Sequence, residues 1–254
     1  MKLSIKTLLL LLLPAFPMAQ YNSSYWEEIS KKQADSLRLE FQHSSNDTLH
    51  MATARSLAYY YMEINRDSAL YFTQQQSNIA NRLKLKLWEA DALENMGYVL
   101  SELKKYPQSL QTFLAALKIA ENKETENNIW HPSKFSIKED PAVGRLTVLS
   151  FCHQDMAGLY GNTGNVQKQL SNSMEALKIG ESIHDESILS TVNMNLGRLY
   201  VSLNKLDSAL IYEQRALEYS NTSGFRNPGN WPITCCMPMR SGTQPRLPTP
   251  SPAR

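Results

Sequence analysis

The chain of 254 residues has only three cysteines, and their positions leave them little to do together. Cys152 stands alone and Cys235 adjoins Cys236, an arrangement that fits neither a disulfide framework nor a zinc site. The five histidines, His43, His50, His131, His153 and His184, lack metal-ligand spacing such as HExxH. No G-x-S-x-G occurs, and the glycine-rich GNTGN at 161–165 lacks the Lys and Ser/Thr that complete a phosphate-binding loop. Cys152 and His153 are neighbours on a predicted helix, where residues one apart point in different directions, so they do not form a nucleophile and its base. No catalytic group, cofactor or metal is expected. A hydrolase using a site around His153 stands only as a third reading. A cationic surplus is also lacking. Residues 1–20 carry two Lys and residues 228–254 three Arg, neither with an acid, which leaves 21 basic against 24 acidic residues between them. That balance argues against nucleic-acid binding, which depends on Lys and Arg neutralising phosphates.

Long apolar runs are scarce too. The exception is MKLSIKTLLLLLLPAFPMAQ, with Lys2 and Lys6 before Leu8–Leu13 and a small-residue exit at Pro17-Met18-Ala19. This is the layout of a secretory signal peptide over residues 1–19, and it is too short for a membrane span, which needs about 20 apolar residues. The expected location is periplasmic or extracellular, with no stable membrane span in the chain.

What the chain has in abundance is repetition. Leu57-Ala58-Tyr59-Tyr60-Tyr61, Met96-Gly97-Tyr98-Val99-Leu100, Met156-Ala157-Gly158-Leu159-Tyr160 and Leu196-Gly197-Arg198-Leu199-Tyr200 share one pattern. Each is apolar, then small, then Tyr or Leu three positions on. A second cluster follows eleven or twelve residues later at Leu70, Leu110, Leu170 and Leu210, and a third at Leu117, Leu177 and Leu217. The small landmarks 58, 97, 157 and 197 lie 39, 60 and 40 residues apart, a period that signifies stacked supersecondary units. Leu196, Leu199, Tyr200 and Leu203 recur at helical spacing, as do Ala209, Leu210, Ala216 and Leu217, so each unit reads as two helices. Asp67 and Asp207 stand where the second helix needs an N-cap, and Pro107 suits a first helical turn. In Tyr59-Tyr60-Tyr61, Tyr61 reads as core, Tyr59 as groove-facing and Tyr60 as a helix contact.

The L-G-x-x-Y phrase, followed by Ala and then Ala-Leu seven residues on, resembles the tetratricopeptide repeat over roughly residues 45–222. The units are 45–84, 85–126, 146–184 and 185–222. The first departs most, with Gln76-Ser77 in place of the second Ala-Leu and a turn one residue shorter. The usual first-helix Trp is replaced by Thr53, Leu93, His153 and Asn193. The resemblance implies an all-α right-handed solenoid whose concave wall is lined by exposed positions of each first helix. Carried over, these are Arg55, Tyr59 and Met62; Glu94, Tyr98 and Glu102; Gln154 and Asn162; and Arg198 and Ser202. Phrases such as LDSALIYEQRALEYS and the period near 40 more narrowly resemble the extracytoplasmic sensing region of bacterial histidine kinases and helix-turn-helix transcription regulators. The implied partner is a protein or peptide of the envelope; the alternative is a free-standing periplasmic scaffold or chaperone.

Three segments flank or interrupt the array. Within residues 20–44, a helix over 24–41 is expected to shield the first unit, started by a capping box of Ser24 and Glu27 and given an apolar side by Trp26, Ile29, Leu37 and Phe41. Residues 127–145, NNIWHPSKFSIKEDPAVGR, read as a loop insertion. Its Trp130, His131 and Phe135 fit either a binding loop or a packed spacer. After Asn227 the pattern stops, and seven of the twelve prolines fall in 228–254. Those residues read either as a disordered tail or as the product of a shifted reading frame in a longer protein.

Overall fold

The computed structural model describes residues 29–135 and 138–222, and within them nine α-helices follow one another. They are α1 (Lys31–His43), α2 (Asp47–Tyr61), α3 (Arg66–Arg82), α4 (Lys86–Glu102), α5 (Tyr106–Ala120), α6 (Pro141–Asn162), α7 (Val166–Ile183), α8 (Glu186–Ser202) and α9 (Leu206–Thr222). Two short 3-10 turns, Lys123–Asn128 and Pro132–Lys134, lie between α5 and α6. Each landmark phrase falls in the first helix of a pair: α2/α3, α4/α5, α6/α7 and α8/α9. The second helix of each pair packs on the first helix of the next. The result is an all-α solenoid. α4 and α6 also pack on each other directly, which sets the first helices on the inside of the curve.

Small residues decide how closely the two helices of a pair approach. A Cβ on Gly97 would lie 2.6 Å from the ring of Phe113, a side chain with no exposed surface. Ser109 Oγ donates to Gly97 O at 2.7 Å, locking the same crossing. Turn geometry repeats as faithfully as the landmarks do. Lys104, Gly164 and Asn204 each adopt positive φ directly after α4, α6 and α8, and their offsets of 60 and 40 match those of Gly97, Ala157 and Gly197. A left-handed residue here lets the following N–H groups reach back to carbonyls of the last helical turn, as Lys105 N does to Leu100 O and Lys205 N to Tyr200 O. In the first pair no residue between α2 and α3 takes that conformation, consistent with its shorter turn.

Several expectations are corrected. α3 is capped by Asn65, whose Oδ1 accepts from Ser68 N at 2.9 Å; Asp67 lies one position inside the helix, where its charge complements the helix dipole. Asp207 likewise lies in the first turn of α9, which starts at Leu206. The N-terminal helix starts at Lys31, with the capping box formed by Ser30 and Gln33; Ser24, Trp26 and Glu27 lie outside the described residues. Leu37 and Phe41 pack over Leu57, Ala58 and Phe72 of the first pair. The insertion is shorter than 127–145 because α6 starts at Pro141, capped by Asp140. Arg145 is therefore a buried helix residue, bonded to Glu126 Oε1 at 2.6 Å and to Ala120 O at 2.9 Å. The signal-peptide and tail readings concern residues outside those described. Among the described residues no helix is long and apolar enough to cross a membrane.

Candidate functional site: the inner wall of the first helices

The inner wall is assembled from the same register positions on successive first helices, and much of it is tied together across units. Arg55 of α2 forms a bidentate pair with Asp91 of α4, Nε to Oδ2 at 2.8 Å and Nη2 to Oδ1 at 2.9 Å. Asn95 Nδ2 donates to Tyr59 Oη at 3.2 Å, and Tyr98 Oη donates to Glu63 Oε1 at 3.1 Å. Arg66 Nη2 reaches Glu102 Oε2 at 2.9 Å. These partners lie 35 or 36 residues apart, three or four short of the 39-residue offset between the landmarks. The first two pairs are therefore staggered by about one helical turn.

Burial shapes the chemistry of this wall. The Arg55 guanidinium lies 4.7 Å from the Tyr59 ring centroid and 5.4 Å from that of Phe135. Burial pulls its pKa down, but Asp91 and the other acids nearby more than offset this, so it stays charged. Burial raises the Tyr59 phenol above its usual range. Further along, Glu94 of α4 and Asp155 of α6 influence each other's ionisation. Burial, reinforced by Asp155, raises Glu94 well above the usual carboxylate range. Asp155 is pushed up to about 6, first by burial, with the interaction with Glu94 subtracting and the charge of Glu102 adding. Burial also raises the Cys152 thiol, which is free and has no exposed surface.

The sequence-derived groove residues divide accordingly. Arg55, Tyr59, Asn162 and Arg198 are half-buried, Glu102 is half-buried in its pair with Arg66, and Ser202 is exposed. Met62, Glu94, Tyr98 and Gln154 are buried and so are not the exposed wall positions expected. Met62 points into the core, while Glu63 beside it bonds Tyr98 and takes the wall position, 39 residues before Glu102. Sequence reasoning missed Glu63, Asp91, Asn95 and Asp155. It also missed Gln76, whose Nε2 donates to Asp91 Oδ2 at 2.7 Å and to Trp88 O at 3.2 Å. The signal for Glu63 was present in the landmark offset; that for Gln76 was its departure from Ala-Leu.

The insertion packs as a spacer at Trp130 and Phe135. Trp88 Nε1 donates to Trp130 O at 2.8 Å, and the Trp88 ring centroid lies 5.1 Å from that of the buried Phe135. His131 is exposed, at φ 50°. Cys152 and His153 face different ways, with His153 Nδ1 3.0 Å from Asn172 Oδ1. Among the described residues no three His, Cys, Asp or Glu side chains are grouped to hold a metal ion.

The family model described as "Tetratricopeptide repeat" matches residues 90–123 and 190–223, which cover most of α4/α5 and α8/α9. Those two segments are tetratricopeptide repeats. Repeats of this kind are protein-binding scaffolds. The crystal structure of BtubC (BKLC) from P. vanneervenii is similar, with a TM-score of 0.55 and 17% sequence identity over 86% of this chain and 80% of that one. At that identity the likeness establishes the tetratricopeptide-like fold. No curated protein sequence gives a significant match.

Proposed function

We propose that this tetratricopeptide array is a non-catalytic module that binds an extended peptide or partner helix along the inner wall of α2, α4, α6 and α8. The supporting observation is the wall's composition: carboxylates, amides, a guanidinium and phenols on rigid helices. Such faces suit hydrogen-bonding to a peptide better than enclosing an apolar small molecule. The accessible stretch lies towards α6 and α8, where Asn162, Arg198 and Ser202 keep exposed surface, because the α2–α4 stretch is committed to its own cross-unit bonds. The test is selection of a random-peptide phage library on the immobilised full chain. Enriched peptides should lose tenfold or more in affinity against Ser202→Arg. Equal binding to that variant and the parent, or no enrichment, would refute the groove.

We further propose that the module is the extracytoplasmic sensing part of a signal-transduction protein and that its partner resides in the envelope. The support is the Lys2–Ala19 leader pattern and the near-40-residue period. Expression in a Gram-negative host should yield periplasmic protein whose N-terminal sequence starts at Gln20. Cytoplasmic retention with the N-terminus intact would refute the location.

A further inference from the structure

We infer that the inner wall between α6 and α8 holds a subsite for a tyrosine side chain of the partner, its ring taking the place left by Gly158 and its hydroxyl donating to Asn195 Oδ1. This rests on the groove reading above and names what one stretch of that groove recognises.

Three side-chain ties cross to α4 from α2 and the turn after it: Arg55–Asp91, Tyr59–Asn95 and Glu63–Tyr98. Counted from the landmarks Ala157 and Gly197 in place of Ala58 and Gly97, the same positions across α6 and α8 are Gln154–Thr191, Gly158–Asn195 and Asn162–Arg198. The two junctions are also set alike. α4 and α6 pack directly, whereas neither α2 and α4 nor α6 and α8 approach as closely, so side chains have to span the space between them. Between α2 and α4 the Tyr59 ring does so, with the Arg55 guanidinium 4.7 Å from its centroid. At the matching place on α6 stands a half-buried glycine, which has no ring to offer. Gln154 lies back along its own helix, its Nε2 3.4 Å from Ser150 Oγ, and Thr191 Oγ1 donates within α8 to Ser187 O at 3.0 Å. The group that fills the wall at Tyr59 is therefore missing at Gly158.

The polar half of the tie is kept. Asn95 and Asn195 occupy the same register and are both buried, at 5% and 8% exposed. Asn95 Nδ2 donates to Asp91 O at 2.8 Å and to Tyr59 Oη at 3.2 Å. Asn195 Oδ1, by contrast, is buried with no hydrogen-bond partner. A buried amide oxygen without a donor costs free energy that a ligand hydroxyl recovers. A phenol meets both needs, since its ring replaces the absent one and its hydroxyl supplies the donor. The terminal torsion of an asparagine is soft, so the amide turns its oxygen towards an incoming hydroxyl. A phenylalanine would fill the same space and leave the oxygen unpaired, so the subsite distinguishes the two.

Supplying the ring in cis tests the geometry without a partner. Gly158→Tyr should melt about 2–4 °C above Gly158→Phe, because only the tyrosine hydroxyl reaches Asn195. Adding Asn195→Leu to both variants should abolish that difference. Phage-selected peptides then test the ligand. Those enriched on the parent chain should carry tyrosine, and changing it to phenylalanine should weaken binding about tenfold. Gly158→Tyr, whose own ring takes the place, should bind the tyrosine and phenylalanine peptides alike. Equal melting of the two Gly158 variants, selected peptides without tyrosine, or equal affinity of the two peptides for the parent would overturn the inference and leave the groove reading standing. Failure to enrich any peptide would overturn the groove reading and this subsite with it.

Discussion

Two glycines at equivalent places, Gly97 and Gly197, should respond to alanine with opposite signs. At Gly97 the new methyl would lie 2.6, 2.7 and 3.0 Å from Cδ1, Cε1 and Cγ of Phe113. An ordinary carbon contact requires the ring to retreat by about 1 Å. The ring is fully buried in the main core and cannot do so freely, so overpacking should cost about 2–3 kcal/mol. Replacing a mid-helix glycine recovers about 0.5–1 kcal/mol of backbone entropy. The net loss is about 2 kcal/mol, equivalent to roughly 4–8 °C in melting temperature for a chain of this size. At Gly197 the three atoms nearest the methyl all belong to the Glu213 side chain, Oε1 at 2.6 Å and Cδ and Cγ at 2.9 Å. Glu213 is exposed and swings into solvent, so Gly197→Ala should keep the entropic gain and stabilise by about 0.5–1 kcal/mol. Urea and thermal unfolding followed by circular dichroism at 222 nm measure both. If the two variants shift in the same direction, close helix crossing at the landmark positions is not what selects glycine at 97.

Other outcomes follow from the wall and the turns. Asp91→Ala leaves the buried Arg55 guanidinium without its carboxylate and should cost about 3–5 kcal/mol, read as a lowered urea midpoint. The folded chain holds protons on Glu94 and Asp155 that the unfolded chain releases near pH 4. Stability should therefore be greatest in mild acid and decline as pH rises through about 6 and beyond, with Glu94→Gln flattening that slope in a thermal-melt series. Gly164, at φ +76°, meets nothing within 4 Å of a built Cβ, so Gly164→Ala tests conformation alone and should lose about 1 kcal/mol. Asn204→Gly at the matching turn should gain a few tenths of a kcal/mol by the same reasoning.

The pairing of helices was legible because it depends on apolar and small residues at fixed offsets. Ala58, Gly97, Ala157 and Gly197 mark the four first helices, and the extra 20 residues before Ala157 correspond to the insertion. The wall was harder to read. One unit's pattern shows which positions leave its own core, but the next unit decides whether they meet water. Glu94, Tyr98 and Gln154 read as exposed from their own unit's pattern, yet all three are buried in the stack. Met62 was displaced by one residue because the first unit's departures obscured its register, whereas counting 39 back from Glu102 reaches Glu63. Asp91 and Asp155 gave no sequence signal of their own, since their roles depend on Arg55, 36 residues earlier, and on Glu94, across the insertion.

α9 buries Ala209 and Ala216 against α8 but leaves Leu206, Leu210, Ile211 and Leu217 more than half exposed. The positions that match Leu217 in α5 and α7, Leu117 and Leu177, are only 8% and 6% exposed because a following helix covers them. In a stack where each unit is stabilised by its neighbours, a helix with one neighbour opens at lower free energy than one with two. α4, buried almost all round between α3, α5 and α6, is at the other extreme. Among the described residues amide exchange should therefore be fast in α9 and in α1, which packs chiefly on α2, and slowest in α4, so that the described array unravels from its outer helices while the Arg55–Asp91 region is still intact.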